Sequence, residues 1–301
     1  METFMGPQAE VFQENLNSTK ETLDVYCGVK DWHKPTSKED HHVEEINRDG
    51  YTVFENLVTE EDLSCIRNLM DEHYQQQARE IGGENMLYEI GDSDSVKHLL
   101  VYDDIFMRLA SRENLMSIIK RFLGDYFTLN LQNGIINRPN IYNPASLWHR
   151  DLFYQHYTSS RPLAISVLYC IDDFNEETGG TVLLPGSHKH EEFPSRDYTL
   201  KHQSQVSIKA GSAMVFDPMM YHRAGFNKSN TIRRGISHIF TLPSYKQQIS
   251  FPRILKGKYS DNPFLRKLLG YDCETADNLL DWRKQRLQIR AGTGYTAAQK
   301  I

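Results

Sequence analysis

The sequence predicts a mainly β fold with flanking helices, built as an antiparallel sandwich or barrel, and three observations lead there. Between about residue 124 and residue 243, short segments rich in β-branched and aromatic residues follow one another, separated by Gly, Pro, Asn, Asp and Ser. Helical patterns gather before and after this run and do not alternate with its strands, which argues against βαβ units. Neither a G-x-G-x-x-G nor a Walker loop is present, so the two commonest nucleotide-binding sheets have no support.

The elements follow in order. Residues 1–40 are polar and weakly patterned and read as an extension over the surface. A domain from 41 to 245 then opens with a short helix, a stop at Gly50 and a strand at Tyr51 to Phe54. Next comes a helix capped by Thr59, with Asp62 three residues on and Leu63, Ile66, Leu69 and Met70 on one face. A further helix is expected around Asp104 to Phe122, ending near Gly124. The strands come from YFTLNLQNGIINRP, the WHRD segment, PLAISVLYCI, GGTVLLP, SQVSIKA, SAMVFD and RRGISHIFTLP. Residues 246–301 return to helix, at NPFLRKLLG and from Ala276 to Ile289, and read as an extension of the same domain serving as a lid or a homodimer contact.

A net charge of −6 and a pI near 6.1 argue against a general nucleic-acid or anionic-membrane binder. No apolar run approaches a membrane span, and the first twenty residues lack a basic stretch followed by an apolar one, so a cytoplasmic protein is expected. Cys27, Cys65, Cys170 and Cys273 are scattered without a C-x-x-C and read as free thiols.

Chemistry concentrates in SLWHRDLFYQHY. On an extended strand, side chains at i and i+2 leave one face, so His149 and Asp151 point together while Arg150 points away. The pattern alone is weak. Chance gives about one or two H-x-[DE] matches in a chain with twelve histidines and forty acidic residues, and three occur. His42-x-Glu44 lies on a helix, where i and i+2 diverge. His188, His190 and Glu192 could alternate as a zinc site, but they follow a Pro-Gly-Ser turn in a charged stretch and read as a solvated loop. Ferrous iron needs two histidines and one carboxylate on one face, with positions left open for substrate and oxygen. His222, just after a Pro218 turn and before another strand, is the best-placed third ligand. Eleven residues on, Arg233 shares a strand face with Gly235 and Ser237, leaving room for a dicarboxylate that its planar fork suits. Arg234, on the more apolar face, reads as a snorkelling or surface arginine.

These residues resemble a known family. The order W-H-x-D, then D-D-x-x-E-E-T-G-G-T-V-x-x-P-G-S-H, then G-S-x-x-x-F-D-x-x-x-x-H-x-A-G-x-N-x-S, then R-R, is similar to the phytanoyl-CoA dioxygenase family of iron(II)/2-oxoglutarate oxygenases. The likeness runs from about Glu44 to Pro243 and includes RDGYTVFENLVTEEDL. It implies a double-stranded β-helix, the cupin-like jelly-roll barrel. It also implies that His149, Asp151 and His222 hold Fe(II), and that Arg233 grips the distal carboxylate of 2-oxoglutarate, with O2 the other co-substrate. Thr181 matches a position that hydrogen-bonds the co-substrate in relatives. Several relatives place a glutamine three residues before the first histidine where this chain has Ser146, so Gln132, Asn133 and Asn137 become candidates for the keto-acid end. The expected activity is oxidation, most simply hydroxylation, of a C–H bond in a small-molecule metabolite or natural-product intermediate. An acyl-CoA hydroxylase of the same family and a non-catalytic jelly-roll binding protein are the alternatives. A cupin-type hydrolase or isomerase would have no need of Arg233.

Overall fold

Alternating side chains between residues 51 and 241 build two antiparallel sheets in the computed structural model, which describes residues 33–142, 144–152 and 158–290. Contacts divide the chain into two units, Met1–Ser37 and Lys38–Ile301, and both sheets belong to the second. The strands are β1 (Tyr51–Phe54), β2 (Ser95–Lys97), β3 (Thr128–Asn137), β4 (Ala164–Cys170), β5 (Val182–Leu183), β6 (Ser204–Gln205), β7 (Ala213–Phe216), β8 (His222–Arg223) and β9 (Arg233–Thr241). The large sheet runs β1-β7-β4-β9-β3-β2 and the small one β6-β5-β8.

Period-two alternation gives the large sheet two different faces. Ile165, Val167 and Tyr169 of β4, with Ile236 and Phe240 of β9, belong to the core shared with the helices. Leu168 and Cys170, with Met214 and Phe216 of β7, instead meet Leu183 of the small sheet and Val206, Ile208 and Met220 beside it. The second core therefore lies between the sheets, where a ligand site can form at the end of an apolar layer.

The helix Glu60–Ile81 starts where Thr59 accepts a hydrogen bond from the Asp62 amide at 3.2 Å, and it buries Leu63, Ile66, Met70, Tyr74 and Ala78 at helical spacing. The helix expected over 104–122 is instead two helices, Asp104–Ala110 and Glu113–Leu123. Ser111 donates its hydroxyl back to the Met107 carbonyl at 2.8 Å, and Arg112 takes an extended ψ of 123°, so the chain turns between them. Gly50 sits at φ +92°, and a Cβ there would come within 2.8 Å of Nδ1 of the buried His188. Only glycine fits that stop.

After β9 the helix Phe251–Leu255 and the helix Pro263–Leu268 bury Phe251, Leu255, Leu268 and Leu269 in the helix-side core, away from the layer between the sheets. Leu279–Arg290 forms the last helix. No helix among the described residues is long and apolar enough to cross a membrane. Cys65, Cys170 and Cys273 are free, and Cys27 lies outside the described residues.

Candidate metal centre

The WHRD segment joins the small sheet through one antiparallel bridge, His149 to His222. The two residues exchange both backbone bonds, at 3.0 Å and 3.1 Å, and the Asp151 amide donates to the Pro218 carbonyl at 3.0 Å. This short ladder returns the chain beside itself, so ligands 73 positions apart share one face. One ligand atom from each of His149, Asp151 and His222 lies within 4.8 Å of the others. Among the described residues this is the group whose ligand atoms converge in that way.

The hydrogen bonds around the group fix its chemistry. Nδ1 of His149 lies 2.7 Å from the Leu147 carbonyl, and Nδ1 of His222 lies 2.8 Å from the Met220 carbonyl. A carbonyl only accepts, so both Nδ1 atoms carry a proton, and Nε2 is the atom that each ring turns toward the site. The two Nε2 atoms face Oδ1 of Asp151, at 3.9 Å from His149 and 3.3 Å from His222. Ser166, on the inward face of β4, donates to the other oxygen at 3.1 Å. Burial is the largest influence on each of the three groups. It holds His149 below its usual range, helped by the neighbouring His222. At Asp151 burial pushes the pKa up, but His222, His149 and Ser166 together outweigh it and the carboxylate is favoured. At His222 the charge of Asp151 and its hydrogen bond likewise overcome burial, and the pKa is raised. Two imidazole nitrogens and a carboxylate, all on one side, are the donor set of a facial 2-His-1-carboxylate site, so the residues present fit a divalent iron.

Beside this group lies a cavity of about 70 Å³, lined by the three ligands, by Thr181, by Arg233 and by apolar neighbours including Ile135. Arg233 is 2% exposed. Its Nη2 donates to the Gly179 carbonyl at 2.8 Å, its guanidinium lies 4.2 Å from the centre of the Phe174 ring, and its Nε has no partner. No described carboxylate comes within ion-pairing distance of it, and burial pushes its pKa down to about 10. A buried cation without a counter-charge is costly, and an anion in the cavity would relieve that cost. The adjacent Arg234 differs in every respect. It leaves the other face of β9, bonding Asp71 at 2.8 Å and Asp172 at 3.1 Å, and is a structural ion-pair residue and not a free surface one.

Among the candidates for the keto-acid end, Gln132 is corrected. It stands opposite His238 in the β3–β9 register and so points to the helices, while Asn133, opposite Ser237, points inward. The Gln132 amide donates to the Phe106 carbonyl at 2.8 Å, and its oxygen accepts from the Leu100 amide at 2.6 Å. A one-residue step along a strand reverses the face. Asn137 is inward and buried, but its amide donates to the Gly225 carbonyl at 3.0 Å. Asn133 keeps a buried Oδ1 without a hydrogen-bond partner. Ser146 ends the short turn Pro144–Ser146. His188 is buried beneath Gly50, while His190 and Glu192 are exposed. His238 is buried on the helix side. Phe153, Tyr154, His156 and Tyr157 lie outside the described residues.

Sequence reasoning missed the supports. Ser166 was visible as the one hydroxyl on the inward face of a strand otherwise apolar, and Phe174 and Gly179 stand in the D-D-x-x-E-E-T-G-G segment without a signal of their role. Gly179 has φ +74°, and a Cβ there would lie 2.5 Å from the Gly225 carbonyl, so the residue whose own carbonyl Arg233 uses is packed directly against a second backbone.

Likeness to known proteins bears on this geometry. The sequence model of the family described as phytanoyl-CoA dioxygenase matches residues 46–235. An uncharacterised protein of Mycobacterium tuberculosis (strain ATCC 25618 / H37Rv) is 32% identical over 217 residues, 70% of this chain and 78% of that one. The ectoine dioxygenase of Stutzerimonas stutzeri (strain A1501) is 27% identical over 194 residues, 61% of this chain and 62% of that one. Among solved structures, EctD from S. alaskensis with 2-oxoglutarate and 5-hydroxyectoine superposes with a TM-score of 0.57 at 19% identity, covering 71% of this chain and 79% of that one. At that identity the likeness establishes the cupin-like fold.

Proposed function

Because the chain belongs to the phytanoyl-CoA dioxygenase family, we propose that it is an Fe(II)- and 2-oxoglutarate-dependent dioxygenase that oxidises a C–H bond of a small molecule. The observation that carries this reading is the meeting, in one cavity, of a 2-His-1-carboxylate donor set and a buried guanidinium with no carboxylate of its own. Fe(II) held there with 2-oxoglutarate and O2 supplies the oxidant, one oxygen atom leaving in succinate with CO2 and the other becoming available to the substrate.

The protein's part is orientation and exclusion. His149 and His222 present Nε2 because the Leu147 and Met220 carbonyls hold their Nδ1 protons. Asp151 keeps one oxygen for the metal because Ser166 engages the other. Arg233 offers a two-pronged donor to the far carboxylate of 2-oxoglutarate, and Gly179 and Phe174 hold its plane. Thr181 lines the same cavity, which supports its assignment as a hydrogen-bonding partner of the co-substrate. Leu168, Phe216 and Ile135 keep the cavity wall apolar, which strengthens each of these contacts.

For the substrate, the reading is a compact metabolite or natural-product intermediate and not an acyl-CoA. A CoA pyrophosphate favours clustered basic groups. The basic run around Lys256 and Lys258 follows the helix Phe251–Leu255, which packs on the helix side of the large sheet, and Lys258 is engaged by Asp104 at 2.7 Å. The test is a panel of acyl-CoA thioesters beside free amino acids, sugars and alkaloids, read as substrate-stimulated succinate formation with Fe(II), ascorbate and 2-oxoglutarate. Turnover confined to the thioesters would reverse the assignment of substrate class.

A further inference from the structure

The residues that flank the His149–His222 bridge form a row of rings and guanidiniums, of which Arg223 also reaches the cavity wall. The antiparallel pairing of His149 with His222 sets Trp148 opposite Arg223 and Arg150 opposite Tyr221. Both flanking pairs are cation–ring contacts. The Arg150 guanidinium lies 4.0 Å from the centre of the Tyr221 ring, and that of Arg223 lies 5.2 Å from the Trp148 ring. Phe193 bridges the row, 4.8 Å from Tyr221 and 5.7 Å from Trp148.

Arg150 does more than stack. Its Nε donates to the Met219 carbonyl at 2.7 Å, and its Nη atoms donate to the Glu191 carbonyl at 3.2 Å, the Ser187 carbonyl at 3.3 Å and the His190 carbonyl. It makes no carboxylate pair among the described residues. The residue between two metal-ligand candidates thus ties their strand to the Met219 turn, which precedes the third ligand, and to the 187–191 loop.

We propose that Arg150 and Tyr221 are positioning residues for the metal centre, with Arg223 and Trp148 as the weaker matching pair, clamping the ladder so that Nε2 of His149 and Nε2 of His222 stay at chelating separation. The ladder itself is a single bridge with one further backbone bond on each flank, from the Asp151 amide to the Pro218 carbonyl and from the Ala224 amide to the Ala145 carbonyl, and these bonds fix the backbone and not the planes of two imidazoles. The flanking pairs are the non-hydrogen-bonded ones, whose side chains approach most closely in an antiparallel ladder. This inference rests on the proposed function, since it needs the histidines to be ligands.

The test is titration with Co(II), whose visible absorption reports ligand number and geometry, for the full chain and for Arg150→Gln, Arg150→Lys, Tyr221→Leu, Tyr221→Phe and the double variant Arg150→Gln/Tyr221→Leu. Arg253→Gln, on the tail, is the control. Loss of an outer partner of a metal ligand lowers metal affinity about 10- to 100-fold. Arg150→Gln and Tyr221→Leu are each expected to fall in that range and to shift the absorption at saturating metal, with Tyr221→Phe near the unaltered chain. Arg150→Lys should recover part of the affinity, because an ammonium can still sit on the ring and reach the Met219 carbonyl. In the double variant the two losses should fail to add, since they remove one clamp. A merely structural role would lower the melting temperature without moving the saturated spectrum. If Arg150→Gln does not fold, Tyr221→Leu carries the same comparison. Unchanged affinity and spectrum in both variants, with His149→Ala unable to bind Co(II), would overturn the clamp and leave the metal centre standing. If His149→Ala binds as well as the unaltered chain, the metal centre falls and the clamp with it.

Discussion

Replacing Arg233 by glutamine should weaken 2-oxoglutarate binding while leaving the fold as stable as before or more so. The two effects have one origin. Burial lowers the Arg233 pKa from 12.5 to about 10, which corresponds to roughly 3 kcal/mol against the charged form. Asp172 offsets a part of it through space, but neither Asp172 nor Asp71 pairs with Arg233, since both hold Arg234, so the folded chain carries the remainder. Glutamine removes the charge and with it the cost. The co-substrate, in contrast, loses a partner for a desolvated carboxylate, worth about 2–5 kcal/mol, so its KM should rise roughly thirtyfold or more. The assay is succinate formation against 2-oxoglutarate concentration, paired with a thermal melt of the same sample. Arg234→Gln is the companion variant. It breaks charged hydrogen bonds to Asp71 and Asp172, so it should lose about 1–3 kcal/mol of stability with KM nearly unchanged. An unaltered KM in Arg233→Gln, or a larger KM defect in Arg234→Gln, would refute the reasoning. So would a large loss of stability in Arg233→Gln, because it would mean that the fold already compensates the charge.

Other outcomes rest on the same geometry. Anaerobic protein given Fe(II) and 2-oxoglutarate should develop a visible metal-to-ligand band that His149→Ala, Asp151→Ala and His222→Ala each abolish; a band lost in His190→Ala and kept in His222→Ala would contradict the ligand set. Gly179→Ala should cost about 1–3 kcal/mol and raise the KM for 2-oxoglutarate severalfold, since the strained position carries the carbonyl that holds Arg233; equal melting temperature and KM would count against it. Burial holds His98 and His188 down to about 4 and His238 to about 3. A histidine depressed in the folded state lends its full stability above the unfolded value of 6.5 and loses it as pH falls toward the folded value, by about 1.4 kcal/mol per pH unit each. Asp217, raised by burial to about 6, works in the opposite sense, lending stability at low pH that is lost as pH rises through 6, and one such group offsets only part of three. Stability from denaturant melts should therefore drop steeply between pH 6.5 and pH 4, and a flat profile there would show that these histidines are not buried neutral.

The shared face of the candidate site was readable because its signals are local. His149 and Asp151 stand two apart on an extended segment, and Arg233 alternates with Gly235 and Ser237, so parity alone decides which side chains travel together. Strand parity was not enough for Gln132, because the resemblance named a strand without its register, and the β3–β9 pairing turns that side chain to the helices. The break at Ser111 was hidden for another reason. The apolar spacing of Leu109, Leu115, Ile118 and Ile119 continues smoothly through it, and only the return bond from Ser111 to Met107 interrupts the helix. Strand β2 has three residues, too few for a periodic signal, and it is held by pairing with Ser95 opposite Ile135 and Lys97 opposite Asn133. The row on Arg150 and Tyr221 depends on which residues the ladder sets opposite one another, which no single segment encodes.

Two adjacent arginines on β9 have opposite duties, and this makes the interval between His222 and Arg233 a counted length. A single residue inserted or deleted within 228–231 that let β9 slide by one place would bring Arg234 inward and send Arg233 toward Asp71. Both arginines would still be present, yet the inward guanidinium would have moved by one strand step, about 3.3 Å, relative to His149, Asp151 and His222. Substitutions in that loop are therefore tolerable where length changes are not. When loops are grafted or trimmed between related chains, the segment after the second histidine should be exchanged by sequence and never by size.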